Sequence, residues 1–195
     1  MNAPFLTFLG LSAVVIATPG PDTALTVRNT FLGGRRGGIF TALGVSVGQT
    51  IWALGTGLGL MAVLLTSKPF FQALRLAGAA YLVYLGVQSL RQALRRRPST
   101  AAALARGAGG GLAGVRAFRQ GVVNNLANPK MAVFFASVLP EFAPVGRGML
   151  SALLLLGLVF AVLTFLSLAL YAAVLAGAGR IVRGSRGVKV ATEAD

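Results

Sequence analysis

At 195 residues the chain is long enough for one domain or two small ones. Apolar side chains make up 55% of it and charged ones 11%, against roughly 45–50% and ~25% in soluble domains, so too few polar groups remain to clothe a water-soluble fold. Cysteine and histidine are both absent, which excludes a disulfide framework, a thiolate nucleophile, an imidazole base and an ordinary zinc site. The composition predicts an all-α polytopic membrane protein with no cofactor.

Five apolar stretches reach the roughly 20 residues that a bilayer crossing requires: 5–27, 38–66, 70–90, 118–139 and 149–179. Together they read as one transmembrane transporter domain over 1–195. No Lys or Arg precedes the first stretch, so it reads as a retained span and not as a cleaved signal peptide. The second carries Gly44, Gly48, Gly55 and Gly59, which fall within about 60° of one helix face. Small residues at that spacing predict close helix packing, with a substrate path along the same smooth face as the alternative. Gln49, mid-span on this helix, either lines the path or hydrogen-bonds a neighbouring helix. The second and fifth stretches exceed the minimum and are expected to tilt or protrude. Connecting them are a loop at 28–37, a short turn at 67–69, a basic Gly/Ala-rich linker at 91–116 and a loop at 140–148. The polar tail 180–195 cannot span.

The net charge of +14 comes from 18 basic and 4 acidic residues. On a soluble domain this would suggest nucleic acid, but here the cations cluster between apolar runs, where topology signals sit, and no nucleic-acid partner is expected. Arg28, Arg35 and Arg36 lie in the first loop. Arg91, Arg95, Arg96, Arg97, Arg106, Arg116 and Arg119 lie around the linker, and Arg180, Arg183, Arg186 and Lys189 lie in the tail. All share one side of a five-span bundle. The positive-inside rule makes that side cytoplasmic, with the N-terminus outside and the C-terminus inside a bacterial inner membrane.

Two places break the apolar pattern. In the first span, Thr18-Pro19-Gly20-Pro21-Asp22 removes two backbone donors and interrupts a regular helix. Carbonyls freed at membrane depth are tolerated only where protein or a water-filled cavity surrounds them. Asp22 reads as the N-cap of a helix resuming at Thr23, and as a carboxylate costly in lipid, also as a participant in transport. In the fourth span, Asn124-Asn125-Leu126-Ala127-Asn128-Pro129-Lys130 reads as a second interruption, with Asn128 as N-cap and Pro129 as first helical residue. Lys130 then either snorkels to the cytoplasmic interface or partners Asp22 or a substrate carboxylate. Both breaks fall in the cytoplasmic half of a ~30 Å core, at depths where they can meet. Paired interrupted helices in the two halves of a chain point to a transporter binding site. Three spans per half would give inverted-repeat-like halves, of which the second, with two spans, is incomplete.

These residues resemble the LysE/RhtB family of bacterial amino-acid exporters. The likeness rests on Pro19-Gly20-Pro21-Asp22, on 33–44 (GGRRGGIFTALG), on Gly78-Ala79-Ala80-Tyr81-Leu82 with Gly86, on Asn128-Pro129-Lys130 and on 134–142 (FFASVLPEF). It extends over about residues 5 to 180. The resemblance implies six transmembrane helices and efflux of amino acids coupled to the proton-motive force. This chain departs from it by ending in 180–195 where a sixth hydrophobic helix is usual. It would then work with five spans, be completed by a neighbouring subunit as in a homodimer, or be a truncated and impaired exporter.

The leading expectation is therefore a secondary exporter of amino acids or similar small zwitterions. Asp22 would take and release the coupling proton. Asn124, Asn125, Asn128 and the freed backbone groups would bind substrate, and Lys130 would hold a carboxylate or tune Asp22. The competing expectation is a non-transporting scaffold or assembly partner. An intramembrane enzyme is not expected, because Asp22, Glu141, Glu193 and Asp195 are the only acids and no two converge. The shortage of acidic and thiolate ligands likewise argues against metal export.

Overall fold

The computed structural model describes residues 3–66, 113–144, 146 and 148–192. It also describes positions 72, 73, 76, 77, 80, 81, 83, 84, 87, 88 and 91, all of them helical. For 60–66 and 178–192 the backbone path alone is described. The turn expected at 67–69, the linker from 92 to 112 and the remaining positions of the expected span 70–90 lie outside the described residues.

Helix α1 (Ala3–Ala17) ends where the prolines begin. Thr18 N still donates to Val14 O at 3.0 Å, but Pro19 has no N–H for the Val15 carbonyl and Pro21 none for that of Ala17. Helix α2 (Pro21–Thr66) starts with proline in the first position, where a missing donor costs nothing. Its opening bond runs from Ala24 N to Gly20 O at 3.0 Å. Asp22 therefore sits inside the first turn, and the capping position expected of it falls to Gly20. Its side chain is free for another task.

The α2 run contains a reversal. Gly34 has φ 62° and ψ −162°, a region open essentially to glycine alone. Asn29 Nδ2 donates to Thr41 Oγ1 at 2.9 Å, although twelve residues of straight helix would separate the two by ~18 Å. The chain thus folds back at one residue, and 21–33 lies against the segment beginning at Arg35. The expected loop 28–37 is consequently helical on both sides of Gly34, with Arg28, Arg35 and Arg36 exposed.

Helix α3 (Gly114–Leu126) stops at Ala127, and α4 (Pro129–Val133) restarts with Asn128 as N-cap and Pro129 in the first turn. The run widens into a π-helical turn at Phe134–Val138, where Leu139 N bonds Phe134 O, and tightens into a 3₁₀ turn at Leu139–Phe142. Pro140 cannot donate into the preceding ladder, which accounts for the change of register there. Helix α5 (Met149–Thr192) is continuous, so helix extends through the expected polar tail as far as residue 192.

Packing is organised around α2, which contacts α5 and α3 most extensively. A Cβ at Gly44 would overlap the Phe118 carbonyl, and one at Gly121 the Thr41 carbonyl, so α2 and α3 touch backbone to backbone. Gly48 faces the Asn125 carboxamide in the same seam. Gly55 and Gly59 meet nothing among the described residues, so half of the expected glycine face serves this packing. Elsewhere Phe134 stacks on Phe160 at 4.3 Å between ring centroids, and Phe135 meets both rings edge-on. These aromatics join Phe8, Val15, Met131, Leu139 and Leu153 in the core. Two stretches are long and apolar enough to cross a membrane: Met149–Gly177, and Pro21–Gly59 in the part that follows the Gly34 reversal. Leu58, Leu155, Leu170 and Val174 stand 61–65% exposed on them, an outer surface suited to lipid.

Candidate functional site

The two helix interruptions meet. Asp22, only 8% exposed, receives three amide donors from the second interruption. Asn124 Nδ2 donates to its Oδ1 at 2.7 Å, and Asn125 Nδ2 and Asn128 Nδ2 each donate to its Oδ2 at 2.9 Å. Asn124 and Asn125 come from the last turn of α3, while Asn128 is the cap of α4. Asn128 also accepts from Lys130 N at 3.1 Å through its Oδ1, so a single side chain starts the helix with its oxygen and holds the carboxylate with its nitrogen.

Lys130 returns the contact. Its Nζ donates to Thr18 O at 2.7 Å and to Val15 O. Val15 carries the carbonyl that Pro19 leaves without a helical donor, so an ammonium from one interruption satisfies an oxygen released by the other. The Lys130 side chain passes beside Gly20, where a Cβ would lie in ordinary contact at 3.8 Å from Lys130 Cδ. Among the described residues Lys130 Nζ thus bonds the two carbonyls and makes no direct hydrogen bond to Asp22. It caps the end of α1.

Pro19, Gly20, Pro21, Asp22, Asn124, Asn125, Asn128, Pro129 and Lys130 are thus brought to one place. Gln49 stands beside them. It is 1% exposed, and its Nε2 donates to Thr164 Oγ1 at 3.2 Å and to Met131 Sδ at 3.6 Å. Asp22, Gln49, Asn128 and Lys130 line a cavity of about 30 Å³, with Thr23 and Thr164 adding hydroxyls and Phe160 and Leu168 adding apolar wall. That volume holds about two waters and no amino acid.

Several participants were not apparent from the sequence. Thr164 is one of two hydroxyls, with Ser167, in an apolar run, a signal easily read as neutral filler. Trp52 Nε1 donates to Asn125 O at 3.3 Å, bracing the α3 end. A second polar group lies nearer the Gly34 reversal, where Asn29 Nδ2 also donates to Gln120 Oε1 at 3.0 Å. No group of metal-binding side chains occurs among the described residues.

Helix throughout the described residues, two segments long and apolar enough to cross a bilayer and a buried carboxylate fixed where two helix interruptions meet are features of a helical membrane protein with a polar interior site. The chain matches the LysE type translocator family over residues 13–192 and belongs to it. It is 29% identical to the homoserine/homoserine lactone efflux protein of Salmonella typhimurium over 188 residues, covering 96% of this chain and 87% of that one. It is 30% identical to the threonine efflux protein of Escherichia coli K12 over 142 residues, 71% of this chain and 66% of that one. An uncharacterized membrane protein of Bacillus subtilis, YrhP, is 29% identical over 165 residues, 83% and 78% of the two chains. No solved structure matches the chain.

Proposed function

We propose that this protein exports neutral amino acids across the bacterial inner membrane in exchange for protons, with Asp22 as the shared site. The observation that carries the reading is the carboxylate of Asp22 held by three asparagine amides at the junction of two interrupted helices. Relatives named for efflux of homoserine, threonine and leucine support the substrate class.

Export driven by proton influx requires that proton and substrate occupy the site alternately. A carboxylate does this without further parts, because it accepts either a proton or a substrate ammonium. The asparagine amides keep it in place through both states. Lys130 holds two carbonyls and, as an ammonium, has a third N–H, which is available to a substrate carboxylate. Pro19, Gly20, Pro21 and Pro129 set the backbone breaks that create the pocket, and Gln49 contributes its wall. The cavity of about 30 Å³ must widen before an amino acid enters.

In this reading α1 with residues 21–33 forms one interrupted span, and α3 with α4 and its continuation forms another. The five-span arrangement places the N-terminus outside and the basic segments in the cytoplasm, with a homodimer as the assembly that would cover the remaining faces. The test is export from cells fed dipeptides: overexpression should raise leucine, threonine or homoserine in the medium. Asp22→Asn at equal membrane abundance should return the medium to the level of cells lacking the protein. Wild-type export by Asp22→Asn would remove the carboxylate from the mechanism.

A further inference from the structure

We infer that the Gln49 carboxamide oxygen is a second anchor for the ammonium group of the substrate, distinguishing an amino acid from the proton that shares Asp22. This rests on the export reading above. The Asp22 carboxylate has about four lone-pair positions, and asparagine amides take three of them. One acceptor position remains. A proton needs only one, whereas a primary ammonium carries three N–H donors and leaves the others unpaired unless a second acceptor stands nearby.

Gln49 supplies that acceptor. Its Oε1 is buried and without a hydrogen-bond partner among the described residues, in a side chain lining the same cavity as Asp22. A buried amide oxygen left unpaired is costly, a cost that a visiting donor removes. The orientation of the amide is fixed by chemistry. Met131 Sδ and Thr164 Oγ1 face the nitrogen edge, and a thioether can accept but cannot donate. The oxygen edge is therefore the one left over. The cavity of about 30 Å³ suits an ammonium group, which is close to water in size, while the remainder of the substrate awaits movement of the apolar wall.

The test is uptake of labelled leucine, threonine and homoserine into everted membrane vesicles, in which export runs inward. Wild-type protein and Gln49→Leu are compared at equal abundance. The expected KM rises about tenfold or more with Vmax within about twofold, as loss of one hydrogen bond to a charged group predicts. N-methyl-leucine has one N–H fewer than leucine. It should inhibit wild-type uptake about tenfold less well than unlabelled leucine, and inhibit Gln49→Leu about equally well, since donor and acceptor losses at one contact are not additive. Thr164→Val removes the shorter of the two contacts that hold the amide and should shrink the same penalty, which keeps the comparison decisive where Gln49→Leu fails to accumulate. A wild-type KM in the variants, a fall in Vmax alone, or an N-methyl penalty that survives both substitutions overturns the inference. Wild-type vesicles that take up none of the three amino acids overturn the export reading and this one with it.

Discussion

Asparagine side chains differ from water as partners for a carboxylate because their position does not depend on its charge. When Asp22 takes a proton on the one position the amides leave free, all three amides keep an oxygen to donate to, but their bonds are no longer made to a charged group and weaken. Each amide therefore reports the state of the acid. Asn128→Ala removes a cap and an amide donor together. It should lower stability by about 2.5–4 kcal/mol, from ~1 kcal/mol for the cap and ~1.5–3 for a bond to a charged group. Asn124→Ala, which removes the amide donor to Asp22 and no helix cap, should cost only the second part. Thermal or denaturant unfolding of the purified variants checks the order, and an Asn124→Ala loss equal to that of Asn128→Ala would contradict it. Much of this was legible in the sequence: the Asn-Pro pair announces a cap, and acids are too few to overlook. The pairing of Lys130 with Val15 was not, because a carbonyl freed by Pro19 leaves no mark on the residue that owns it.

Glycine decides the geometry of the elements, and at each position for a different reason. At Gly34 the requirement is conformational: any Cβ at φ 62° and ψ −162° is strained, by about 1–3 kcal/mol. Gly34→Ala should lose that much stability and unfasten Asn29 from Thr41. At Gly48 the requirement is space, since a Cβ would lie 2.8 Å from Asn125 Oδ1. Gly48→Ala should push that carboxamide away from Asp22, lowering export by at least about tenfold for the loss of one such bond while the helix, which prefers alanine, still forms. Equal losses of fold and transport in Gly48→Ala would show the seam to be purely structural. The interruptions were visible in the sequence because proline and Asn-Pro are unambiguous punctuation. A turn back was expected of the loop at 28–37, but its confinement to Gly34 was not, because which of the four glycines in GGRRGG turns the chain depends on Asn29 and Thr30 receiving Gly37 and Gly38 in the fold.

At the scale of the whole molecule the reversal and the two interruptions lie along one axis. Asn29 is seven residues beyond Asp22, ~10 Å along the helix, and the seam between them is shut by glycine contacts and by the Asn29–Gln120 bond. The exposed arginines Arg28, Arg35, Arg36, Arg116 and Arg119 all lie toward that closed end. If that end faces the cytoplasm, as the charge asymmetry requires, the described conformation excludes substrate from the side on which it must be loaded. Orientation is thus the assumption that turns a closed seam into an inner barrier, and the chain's lack of cysteine makes it directly measurable. A single Ser67→Cys, between the second and third expected spans, should react with a membrane-impermeant maleimide in intact cells. Ser185→Cys, in the helix beyond the last span, should react only after permeabilisation. The reverse pattern would put the closed seam on the outer side, and export would then have to begin from a site already open to the cytoplasm.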